Sequence, residues 1–158
     1  MTKFEEMGQA ADEAVRRWSE YQTACWNDMN NLIGGFVVYC GAPSGSFYFL
    51  RLDEESDETA NYSLVGAMHY DHDGFWHLGF CLRLRPLKSV LMEICLTRSR
   101  GKSLVKTGKD GKAREIDLEN KSKCEEFYEE LIEDTKRFYT TEVQAALDNP
   151  APARIGFV

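Results

Sequence analysis

Apolar residues recur every three or four positions through the first part of the chain: Phe4, Met7, Ala11, Ala14, Trp18, Tyr21, Cys25, Met29 and Leu32. That spacing places them on one stripe of a long helix. Thr2 and Glu5 form a capping-box pattern at its start, and Gly34-Gly35 marks its expected end. A second stripe runs through Cys124, Phe127, Tyr128, Leu131, Ile132, Thr135, Phe138, Tyr139, Val143 and Ala146. It predicts a C-terminal helix starting near Asn120 or Ser122, where Ser122 and Glu125 repeat the capping box. Glu125, Glu126, Glu129, Glu130, Glu133 and Asp134 cover its other side, a solvated acidic face or one that docks on basic residues.

Between the helices the period shortens to two. Strands are expected over 36–40, 47–52, 62–70, 75–85 and 90–98, with a weaker hairpin from 103–107 and 113–117. Gly, Pro, Asn and Asp mark the turns, notably Gly41-Ala-Pro-Ser-Gly45, Asp71-His-Asp-Gly74 and Lys109-Asp-Gly-Lys112. Short connections favour antiparallel neighbours. The predicted fold is α+β: an antiparallel meander of six or seven strands with an N-terminal and a C-terminal helix packed on one face. Residues 1–147 form one domain in this reading, and 148–158 a proline-containing tail with an apolar tip at Ile155–Val158.

Alternation also assigns the faces. Trp76, Leu78, Phe80, Leu82 and Leu84 share one side with Val90, Met92, Ile94 and Leu96, and this even-numbered face belongs under the helices. A three-residue loop at His72-Asp73-Gly74 pairs Tyr70 with Trp76, Met68 with Leu78 and Leu64 with Leu82, keeping apolar opposite apolar. The other face then carries His69 opposite His77, with Asp71, Cys81, Arg83, Arg85, Glu93 and Cys95 nearby.

Composition narrows the class. At 158 residues with 43% hydrophobic content, the chain can bury a substantial core. It has no apolar run long enough to span a membrane and no signal-peptide pattern at its start. Five widely spaced cysteines (Cys25, Cys40, Cys81, Cys95, Cys124) without a Cys-x-x-Cys pair suit reduced thiols in a cytoplasmic protein.

Charge changes the picture more. Ten basic residues against two acids give the stretch Arg83–Arg114 a net charge of +8, while the chain is −7 and the remainder therefore −15. Such segregation attracts an anionic ligand or an acidic surface. The candidate ligand-binding residues are Arg83, Arg85, Arg98, Arg100, Lys102, Lys106, Lys109 and Lys112, which lack interleaved aromatic residues and so suit phosphate or carboxylate contact.

Motifs with chemistry are sparse. Gly41–Ser46 has the glycines and hydroxyls of a phosphate loop but lacks its lysine and following helix. Gly35–Tyr39 matches half of an aromatic base-stacking strand, but Leu32 and Ile33 and the order of elements exclude an RNA-recognition module. The candidate metal residues are His69, Asp71 and His77, two imidazoles roughly 5 Å apart at Cβ on paired strands plus one carboxylate, with Cys81 or Cys95 as thiolate alternatives. No cofactor signature appears. The expected function is a non-catalytic protein-binding module that self-associates or binds another protein. The alternatives are a nucleic-acid or phospholigand-binding domain using residues 83–114, and a metal-dependent enzyme centred on His69, Asp71 and His77.

Overall fold

A computed structural model describes residues 1–57, 59–86 and 88–148. Helix α1 spans Lys3–Tyr39, 37 residues, or roughly 55 Å at the helical rise. The capping box at its start forms as expected: the Glu5 amide donates to Thr2 Oγ1 (3.2 Å) and the Thr2 amide to the Glu5 carboxylate (2.6 Å). Gly34-Gly35 does not end the helix, and Phe36–Tyr39, expected in a strand, are helical. Gly35 is a notch instead: a Cβ there would overlap the Tyr128 hydroxyl, which donates to Leu32 O at 2.9 Å. The stop lies at Gly41, whose φ of 67° favours glycine.

The strands are β1 (Phe47–Leu50), β2 (His69–Tyr70), β3 (Trp76–Arg85), β4 (Lys88–Ser99), β5 (Lys102–Thr107) and β6 (Arg114–Glu115), with a helical turn α2 (Leu64–Ala67) before β2. They form one antiparallel sheet in the order β1-β3-β4-β5-β6, with β2 also on β3. The α+β meander is thus the observed architecture. The turn at Gly74 (φ 81°) sets the expected pairs Tyr70–Trp76 and His69–His77.

The rest of the predicted strand 62–70 is not a strand. Leu82 pairs with Phe47, not Leu64, and β1 occupies the edge of β3 from Gly79 to Leu82. Residues preceding His69 therefore have no ladder to join, and Leu64–Ala67 coil into α2, capped by Ser63 Oγ accepting from the Gly66 amide at 3.0 Å. β1 and β2 run in the same sense along β3, so residues 51–68 are an excursion within one interrupted edge strand.

Helix α3 (Lys121–Arg137) is capped by Asn120, which accepts from the Lys123 amide at 3.2 Å, rather than by Ser122. A π-helical turn at Phe138–Glu142 separates it from α4 (Val143–Asp148). The core joins the even-numbered face of β3 and β4 (Leu78, Phe80, Leu82, Val90, Met92, Ile94, Leu96) to Cys25, Met29, Leu32 and Phe36 of α1 and Phe127, Tyr128 and Leu131 of α3. Among the described residues no helix is long and apolar enough to cross a membrane. The apolar tip Ile155–Val158 lies outside the described residues.

Candidate functional site

The odd-numbered face carries a row of polar side chains across four strands. His69 of β2 pairs with His77 of β3, His77 with Cys95 of β4, and Cys95 with Lys106 of β5. Glu93 lies two residues before Cys95 on the same face of β4, opposite Gly79. The row is covered: His77 is 2% exposed, Glu93 5%, Cys95 0% and Lys106 8%. Gly79 contributes to this cover, since a Cβ there would meet Leu50 O at 2.5 Å and Leu52 Cδ2 at 3.0 Å. The missing side chain lets Leu52 fold across the sheet.

His77 is the hub. Its Nε2 lies 2.9 and 3.0 Å from the two carboxylate oxygens of Asp73, in the β2–β3 turn. Its Nδ1 lies 3.2 Å from Glu93 Oε1 and 3.3 Å from Cys95 Sγ. Lys106 Nζ donates to Asp73 Oδ2 and to Lys109 O, both at 2.8 Å, and sits 4.5 Å over the Phe75 ring.

Burial alone would lower the basicity of His77, but its bonds to Cys95, Glu93 and Asp73 outweigh that and raise its pKa to about 10. Burial works against ionised Asp73 as well, yet hydrogen bonds from Lys106 and His77 hold its carboxyl well below the usual range. The bond to His77 keeps Glu93 low despite its burial. Burial pushes the Cys95 thiol up, and His77 opposes this less strongly. His69, half-buried, is pushed down by desolvation. Cys95, His77 and Asp73 stand in the order of a nucleophile, base and orienting acid. A thiol with no exposed surface and a raised pKa does not meet a substrate in that arrangement.

The sequence-derived trio His69, Asp71 and His77 is brought together, with donor atoms within 4.8 Å of one another. Its imidazoles, however, stack at 5.3 Å with 25° between planes, so their lone pairs lie in separate, nearly parallel planes. Both nitrogens of His77 are engaged elsewhere. Asp73 and the pairing of His77 with Cys95 went unused in the sequence reading. The β3–β4 register would have revealed the latter, but an irregularity between Arg83 and Arg85 obscures it.

The basic residues do not form one patch. Arg83 and Arg85 lie at the β3–β4 turn, while Arg98, Arg100 and Lys102 lie at the far end of β4, roughly 36 Å away at the strand rise. Arg98 is tied to Asp28 of α1 at 2.8 Å, and Lys102 faces Glu115 at 3.4 Å. Arg100 occupies the tight turn at φ 53°. Lys106 is in the buried row, and Lys109 and Lys112 are exposed beside the β5–β6 turn. Arg83 stacks on Tyr48 at 4.5 Å. The Gly41–Ser46 turn sits beside it: Ser44, Ser46, Arg83 and Arg85 line a shallow pocket of about 370 Å³. This pocket adjoins an apolar groove of about 1020 Å³ lined by Phe36, Tyr39, Leu82, Ile132 and Tyr139.

Compared with known proteins, the chain matches no family model, no curated protein and no solved structure.

Proposed function

We propose that this protein is a non-catalytic protein-binding module that self-associates through the first half of α1. The carrying observation is a single apolar stripe that is covered for only half its length. Cys25, Met29, Leu32 and Phe36 are buried, but Phe4 is 80% exposed, Met7 64% and Val15 70%; Trp18, 45% exposed, keeps one side on Tyr70 and Trp76. A large apolar stripe left in water at a helix surface marks an interaction site. Its shape suits a second copy. Small residues (Gly8, Ala11, Ala14) occupy the middle, with Val15 beside them, and the bulkiest ones (Phe4, Met7, Trp18) the ends. A two-fold antiparallel crossing near Ala11 sets small against small where the helices approach, and aromatic beside aromatic where they diverge. The acidic face of α3 is partly engaged within the chain, since Arg114 pairs with Glu130 at 2.7 Å. An apolar seam on α1 therefore supports association better than opposed charged segments do.

Light scattering across a dilution series tests this. The expected result is a dimer that dissociates on dilution, is little affected by salt, and is abolished by Phe4→Ser with Met7→Glu. A native chain that stays monomeric at every concentration would end the self-association reading.

A second reading is favoured by the shared pocket of the Gly41–Ser46 turn and Arg83/Arg85. Two guanidinium groups and two hydroxyls suit a phosphate or carboxylate, and the adjoining groove suits an apolar extension of the same ligand. Titration with inorganic phosphate, followed by NMR, should shift the Ser44–Ser46 amides. Shifts that persist in Arg83→Gln/Arg85→Gln would exclude it.

A further inference from the structure

We propose that His77, Glu93 and Cys95 form a buried zinc site, with Asp73 and Lys106 as its supporting shell. The donor atoms His77 Nδ1, Glu93 Oε1 and Cys95 Sγ already make a triangle with edges of 3.2, 3.3 and 3.8 Å. Zinc bonds of about 2.0–2.3 Å at tetrahedral angles put such donors about 3.3–3.6 Å apart. An ion therefore fits over this triangle with shifts of a few tenths of an ångström. One imidazole, one carboxylate and one thiolate, with the Gly108 carbonyl 4.0 Å from Cys95 Sγ as a fourth donor, form a closed donor set that zinc takes.

The surroundings of His77 strengthen the assignment. A metal-bound histidine characteristically gives its other ring N–H to a carboxylate, which fixes its tautomer and orientation. Here Nε2 is held by both oxygens of Asp73, and Asp73 in turn by Lys106. All three ligands project from β3 and β4 at the centre of the sheet, so the ion would cross-link two strands whose register is already set. The role is structural, since the ligands are buried. This set shares only His77 with the trio His69, Asp71 and His77.

The test uses the full chain, purified without an affinity tag, stripped with a chelator and reloaded with zinc or cobalt. Elemental analysis should give one zinc per chain, and zinc should raise the melting temperature. Cobalt should produce a thiolate charge-transfer absorption that disappears in Cys95→Ser and persists in His69→Gln. Asp73→Asn should retain the cobalt band but weaken zinc binding by about 10- to 100-fold. Substoichiometric zinc in the native protein, or no cobalt–thiolate band, overturns the proposal without reference to any variant. A band that survives Cys95→Ser, or binding that is lost in His69→Gln, overturns the ligand assignment.

Discussion

The two halves of α1 share one helix, one stripe and one period, yet only the second is part of the core. From Trp18, whose ring meets Tyr70 and Trp76, to Phe36 the stripe lies on the sheet and on α3, while from Phe4 to Val15 it is exposed. Periodicity therefore states which face of a helix seeks cover, not whether the chain supplies it. The length of the sheet decides that.

Substitutions at matched positions should separate the halves most clearly. Phe36→Ala, which removes a ring packed on Phe80 and Tyr128, should cost about 3–5 kcal/mol in urea denaturation. Phe4→Ala, measured where the protein is monomeric, should stay within about 0.5 kcal/mol. Equal costs would mean that the projecting half is already buried in the folded chain.

The glycines offer a sharper contrast. Gly35→Ala drives a methyl into Tyr128 and should destabilise by about 1–3 kcal/mol. Gly8→Ala meets nothing within 4 Å and should instead stabilise the helix by about 0.5–1 kcal/mol. If both substitutions destabilise, the first half of α1 is not the free helix described.

A pH-dependent effect belongs to the buried row. In chelator-treated protein, folded His77 holds its proton up to about pH 10, while the unfolded chain releases it near 6.5. Folding stability should therefore fall as pH rises across that window. Cys95, also raised, adds to the fall at its alkaline end. The carboxylates of Asp73 and Glu93 have the opposite sign and lose their contribution only on acidification below about 4. Lys106 and half-buried His69 face the same row. Denaturation midpoints of chelator-treated protein measured from pH 6 to pH 10 should decline in the wild-type chain and flatten in His77→Gln; a wild-type profile without decline would contradict the imidazolium.

Much of the architecture was legible in sequence, because burial imposes a period on each element. The even-numbered face of β3 and β4, the Thr2–Glu5 cap and the Tyr70–Trp76 register at Gly74 all follow from local rules of spacing and backbone conformation. Long-range competition accounts for what was not. Residues 62–68 alternate like a strand but lose their edge to β1, and Gly34-Gly35 resembles a stop until Tyr128 is found to need the notch. The site divides in the same way. Alternation alone put His69, His77, Glu93 and Cys95 on one face, since a strand side chain has two directions to choose from. Whether that face was wet or dry depended on tertiary contacts such as Leu52 over Gly79 and His69 stacked on His77. That Asp73 and Lys106 close on His77 depended on three strands and a turn meeting in register, and no local pattern encodes such a meeting.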